Sequence, residues 1–169
     1  MLCLHSTNRM SIRYHTALTP QEQLAFGMSK PQPLAMADKV RFAELDVLRH
    51  VNNKAYMTWF ETLRVNYGDL YTLALYPAGE PLPRVVIRSG EVRYLEEMVM
   101  GEDYVATAGV TAYRNTSYSM HQELWSGGRL RATFDCVIVT LLPDGSGRYR
   151  LPDAVRSRFS EVDGAVFEG

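Results

Sequence analysis

The chain has 169 residues, of which 46% are hydrophobic, 22% charged and 11% aromatic. That balance fits one globular domain large enough to build a core without disulfide or metal staples, and excludes disordered and collagen-like chains. Eighteen basic against 19 acidic side chains leave a net charge of -1, so nothing in the overall field favours nucleic acid or an anionic membrane surface as partner.

Cys3 and Cys136 are too few and too far apart for a disulfide framework or a cysteine-type zinc site. No apolar run reaches the length of a signal-peptide core or a membrane span. A cytoplasmic protein that neither spans nor leaves the cell is the expectation. His5, His15, His50 and His121 show no metal-ligand spacing, so no metal is expected.

The N-terminal stretch reads as an appendage over residues 1–36, ahead of a single domain over 37–169. Thr19-Pro20-Gln21-Glu22 has the pattern of a capping box with proline at the first helical position, which predicts a short helix from about 20 to 28. Pro31 and Pro33 favour extended backbone after it. A short strand-like alternation runs from Lys39 to Phe42, and the polar segment from Glu44 to Asn53 has no regular period, so it is a loop.

From Lys54 onward, Tyr56, Phe60, Leu63, Tyr67 and Tyr71 recur at three and four residues, which predicts one long amphipathic helix. Gly68 lies inside it and weakens it there, and Pro77-Ala78-Gly79 stops it. Four Val-, Thr- and Tyr-rich stretches follow, near 84–96, 103–113, 117–126 and 129–142, separated by turn signals at Arg114-Asn115-Thr116 and Ser126-Gly127-Gly128. In the last, Leu130, Ala132, Phe134, Cys136 and Ile138 share one face, as in an antiparallel sheet with one side on a core. The expected fold class is α+β, a hotdog, in which an antiparallel sheet wraps one long central helix.

The chemistry sits in Leu45-Asp46-Val47-Leu48-Arg49-His50-Val51-Asn52-Asn53-Lys54-Ala55-Tyr56. Hydrolysis at a carbonyl carbon needs a nucleophile or a base for water, plus donors aimed at the developing oxyanion. A carboxylate just ahead of a helix start supplies both, because the first helical turn carries unpaired N-H groups and a positive dipole end. Read without further context, Asp46 is also a plain turn residue, His50 a loop hydrogen-bonder, and Asn52 or Asn53 the helix N-cap.

The segment resembles the signature of the hotdog thioesterases, the superfamily of 4-hydroxybenzoyl-CoA thioesterase. Its Leu45-Asp46-Val47 and His50-Val51-Asn52-Asn53 are similar to the motif of acyl-ACP thioesterases. The resemblance covers about residues 37–159 and implies acyl-CoA thioester hydrolysis without a cofactor, with acyl-ACP hydrolysis or idle acyl-CoA binding as the alternatives. It implies Asp46, His50 and Glu97 as catalytic residues, and Asn52, Asn53 and Tyr56 around the substrate carbonyl. It further implies a homodimer or a tetramer, with Asp46 from one subunit and the helix start and strand Glu from the other. Leu48 departs from the acyl-ACP pattern, which has an asparagine there.

No G-x-S-x-G elbow, P-loop or dinucleotide fingerprint competes. Only Lys30, Lys39 and Lys54 are lysine, so fifteen of the 18 basic side chains are arginine. Arg129, Arg131, Arg148, Arg150, Arg156 and Arg158 crowd the end of the chain, where they form a solvated face or a phosphate-holding patch for coenzyme A.

Overall fold

The computed structural model describes residues 12–169. Cys3 and His5 lie outside them. The elements are α1 (Pro20–Ala25), β1 (Leu34–Lys39), α2 (Asn53–Tyr67), β2 (Arg84–Tyr94), β3 (Asp103–Tyr113), β4 (Ser117–Ser126), β5 (Arg129–Leu141), α3 (Asp153–Glu161) and β6 (Val166–Phe167). The sheet runs β1-β3-β4-β5-β2, with every neighbour antiparallel, and β6 joins the end of β3 in parallel.

Three register shifts, between Ile87 and Ser89, Val110 and Ala112, and Leu124 and Trp125, place bulges that increase its twist. The hairpin from β4 to β5 turns on Gly127 and Gly128, both at positive φ (59° and 71°), as a two-residue turn of matching twist requires.

Helix α2 lies across the concave face. Its Ala55, Tyr56, Trp59, Phe60, Leu63 and Tyr67 are buried, the three-and-four spacing translated into one covered stripe. Trp59 stacks on Tyr104 of β3 with 4.2 Å between centroids, and Phe60 meets Phe134 of β5 at 5.5 Å. At Gly68 the helix loosens as the sequence predicts, passing into a π-helical turn over Gly68–Thr72 and a 3-10 turn over Leu73–Leu75. The predicted face of β5 is the core face, with Ala132, Phe134, Cys136 and Ile138 all buried.

Two local expectations shift. The first strand is Leu34–Lys39 rather than 39–42, and Phe42–Glu44 is a 3-10 turn. Alternation misses this strand because both its faces are covered: Leu34 belongs to the main core, while Ala35 and Ala37 pack outward against Leu18, Met28 and Val105. The N-terminal helix has its capping box, with Glu22 N donating to Thr19 Oγ1 and Thr19 N donating to Glu22 Oε2. It ends at Ala25 because Gly27, at φ 101°, bends the chain so that Gly27 N and Met28 N return to Leu24 O and Gln23 O.

Helix α3 has no counterpart among the predicted elements. It buries Val155 and Phe159 beneath Arg-rich surroundings. Just beyond it, the fully buried Asp163 accepts from Tyr67 Oη at 2.6 Å and Val110 N at 2.8 Å, locking the chain end onto α2 and β3.

Candidate active site

Residues 45–51 form a miniature hairpin ahead of α2. Leu45 bridges Val51, Asp46 N donates to His50 O at 2.9 Å, and Arg49 N donates to Asp46 O at 3.0 Å. Arg49 takes the left-handed region at φ 64° to close the turn. The carboxylate of Asp46 works inside this turn through one oxygen, since Oδ1 accepts from Leu48 N at 2.8 Å and His50 N at 3.3 Å. No described residue donates to its Oδ2. The plain turn role of Asp46 is therefore present, and it leaves the second oxygen available to chemistry.

Asn52 is the helix N-cap, its Oδ1 accepting from Lys54 N at 3.0 Å. Ala55 N is satisfied by Asn52 O. Among the described residues this leaves the Asn53 N-H, first of the helix, without an acceptor, and the Asn53 side chain is exposed. Tyr56 is placed differently: it is 3% exposed, its ring wedged between Trp59 at 5.4 Å and Tyr94 at 5.2 Å, and burial pushes its hydroxyl up to about 12. It supports the helix start from within the core.

His50 and Glu97, far apart in sequence, meet because the miniature hairpin docks on the segment after β2. Val51 N donates to Met98 O at 2.9 Å and His50 bridges Val99. His50 Nδ1 then stands 3.3 Å from Glu97 Oε2, with Glu97 the more exposed of the two. This meeting occurs within one chain. Glu96, one position away, points elsewhere, to Arg129 at 3.1 Å and Arg131 at 3.3 Å.

Two positioning residues escape a sequence reading. Glu44 accepts from Trp59 Nε1 at 2.9 Å and from Arg41 N at 2.7 Å, while its carbonyl accepts from Asn52 N, so it ties the loop to the helix. Only its spacing from Arg41, like that of a capping box, hints at this. Arg131 sits in the arginine-rich run yet is 8% exposed. It reaches Glu97 O at 2.8 Å, Ser126 O at 3.2 Å and the Glu96 and Glu102 carboxylates at 3.3 Å each. Neither a solvated face nor a phosphate holder, it braces the segment that carries Glu97. Of the other arginines, Arg158 lies over the Tyr71 ring at 4.1 Å and Arg156 pairs with Asp153.

Beside His50 opens a depression of about 470 Å³ lined by Glu96, Glu97, Val99, Glu102, Arg129 and Arg131. In the loop ahead of α2, Phe42, Val47 and Leu48 stand largely exposed. No group of three or more His, Cys, Asp or Glu side chains among the described residues is placed to hold a metal ion. No helix there is long and apolar enough to cross a membrane.

A long helix wrapped by an antiparallel sheet is the hotdog fold of α+β proteins, and here a carboxylate turn stands at the helix start. The chain belongs to the thioesterase-like superfamily, which it matches over residues 40–159. It is similar to a thioesterase superfamily protein from Jannaschia sp., with 38% identity over 90% of this chain and 97% of that one and a TM-score of 0.81. A thioesterase from Thermus thermophilus, solved in complex with coenzyme A and Zn, is 26% identical over 79% of this chain and 96% of its own, with a TM-score of 0.66. A predicted thioesterase from Bacillus stearothermophilus is 27% identical over 80% and 98% of the two chains, also with a TM-score of 0.66. No curated protein matches the chain.

Proposed function

We propose that the protein hydrolyses an acyl thioester of coenzyme A to the free acid and thiol, with Asp46 as general base or nucleophile. The observation that carries this reading is the pairing, at one helix start, of a carboxylate oxygen and a backbone N-H that no described residue engages. The Asn53 N-H and the positive end of α2 favour the oxyanion that forms as the carbonyl is attacked. Asp46 Oδ2 takes the proton of the attacking water, or attacks the carbonyl itself to form an anhydride as the C–S bond breaks, which a water then hydrolyses to the free acid. His50, its Nδ1 3.3 Å from Glu97 Oε2, is assigned the return of a proton to the departing sulfur. The coenzyme A bound to the Thermus thermophilus relative supports that carrier. Cys136, a buried free thiol, suits a reducing cytoplasm.

The acting unit in this reading is a homodimer joined along β2. That strand is exposed over almost its whole length, with Val85, Val86 and Ile87 at 52%, 39% and 42%. An open eleven-residue edge carrying these apolar side chains is a template for a second copy of the same strand.

Free-thiol release from a panel of acyl-CoAs, measured for wild type and Asp46→Ala, tests the assignment. Turnover that the variant loses is expected. Equal turnover in both would remove Asp46 from the chemistry. Silence on every acyl-CoA, with hydrolysis of the matching acyl-ACP, would move the activity to the protein-borne carrier.

A further inference from the structure

The central helix carries one charge that its surroundings leave unanswered. Arg64 lies on the flank of α2 that begins at Asn53 and continues through Met57 and Phe60, and it is half-buried. A carboxylate is within sequence reach at Glu61, the i-3 neighbour that normally pairs with arginine on a helix surface. The guanidinium turns away from it. Nη1 donates to Gln122 Oε1 at 3.1 Å, and the group stands over the Phe134 ring at 5.5 Å. Among the described residues Arg64 makes no ion pair.

The surroundings are built to hold it there. Gln122, fully buried, is fixed by donating Nε2 to Phe60 O at 2.9 Å, which commits its oxygen to Arg64. Gly90 of β2 faces Cys136 of β5, and a Cβ at Gly90 would fall 2.5 Å from Phe134 Cε2, so the absent side chain admits the ring that floors the site. Phe134 and the neutral amide of Gln122 thus face the guanidinium. A half-buried guanidinium beside that ring has donors to spare for an anion or another acceptor.

We propose that the acyl chain lies along this flank of α2 and that Arg64, at its far end, forms an anion subsite that takes the terminal carboxylate of an ω-carboxyacyl thioester. This rests on the hydrolase reading above and adds a substrate class to it. Arg64 follows Asn53 by eleven residues, about 16 Å at 1.5 Å per residue. Its side chain leans back toward the helix start, leaving on the order of 10 Å to the carbonyl position. An extended chain advances roughly 1.2 Å per bond, by analogy with the three-bond residue repeat, so a medium-chain diacid spans that gap. Guanidinium and carboxylate pair through two parallel hydrogen bonds, a geometry that Gln122 and Phe134 leave open on the remaining edge.

The test compares two CoA thioesters of equal medium length, one ending in a methyl and one in a carboxylate, on wild type, Arg64→Met and Arg64→Lys. Wild type is expected to favour the carboxylate-ended thioester at least tenfold in kcat/KM. Arg64→Met is expected to abolish or invert that ratio, chiefly through KM, and Arg64→Lys to restore part of it. No preference in wild type overturns the proposal. So does an Arg64→Met variant that loses both substrates alike or dissociates into monomers, since Arg64 then answers a carboxylate of the second subunit. If neither thioester is hydrolysed, the hydrolase reading fails separately. Calorimetric titration with the same pair still decides the subsite by whether Arg64→Met erases a tenfold difference in Kd.

Discussion

The two edges of the sheet are finished in opposite ways. At the β1 edge, residues 12–33 fold back over the strand: Leu18 N donates to Ala35 O, His15 N to Ala37 O, and Leu18 and Met28 bury Ala35 and Ala37 on the outer face. Gly27 comes so near the β4–β5 hairpin that a Cβ there would lie 2.7 Å from Gly128 Cα. At the other edge no described residue covers β2 in this way, and its apolar side chains stand in solvent. An exposed strand edge is a hazard unless it has a purpose. The contrast separates a covered boundary that serves stability from an open one, the edge assigned to assembly in the proposed dimer.

Substitutions at each place divide the two roles. The largest effect belongs to the site between them: Asp46→Asn keeps the turn acceptor but loses the base, and thiol release should fall about 10²- to 10⁴-fold with an unchanged thermal transition. At the open edge, Ile87→Asp buries an unpaired charge in the proposed seam. It should weaken association by ~3 kcal/mol or more, read by sedimentation, with activity lost in step. A variant that stays dimeric would place the seam elsewhere.

At the closed edge the readout reverses. Leu18→Ala should cost about 2–4 kcal/mol in denaturant unfolding and leave the sedimentation coefficient alone, because it opens a cavity under a strap on the edge opposite the proposed seam. Thr19→Ala removes the cap of α1 and should cost about 1 kcal/mol by the same measurement.

The smallest effect lies on the outer face between the two edges. His121 is held between Glu123 at 3.2 Å and Asp135 at 2.6 Å. The hydrogen bond to Glu123, with help from Asp135 and against burial, raises it to about 9. A histidine raised on folding contributes stability that is complete below its ordinary value of about 6.5 and is lost as pH climbs through about 9. His121→Gln should flatten the decline of the unfolding midpoint across that window. An unchanged slope would mean that the two carboxylates do not hold the imidazolium.

How much was legible follows from how local each signal is. The capping box at Thr19, the stripe from Tyr56 to Tyr67 and the loosening at Gly68 depend on neighbours within a turn, and each stands where the sequence puts it. The strand at Leu34–Lys39 was misplaced because burial on both faces erases alternation. Helix α3 was missed because its two buried residues sit among arginines. At the site, Asp46 and the Asn52 cap are sequence-local and were legible. The tie from Glu44 to Trp59 and the clasp of Arg131 on Glu97 O join distant segments, and no spacing announces them.

The sequence by itself determined the order of one long helix and four strands and placed a carboxylate turn at the helix start. Periodicity, turn chemistry and capping act over a few residues and are written directly in the chain. Only the tertiary structure decided that residues 12–33 close one edge while β2 stays open, that Glu97 rather than Glu96 meets His50, and that Arg64 turns inward to Gln122. Those outcomes depend on which faces a curved sheet leaves covered, and one residue of register exchanges the two sides of every strand.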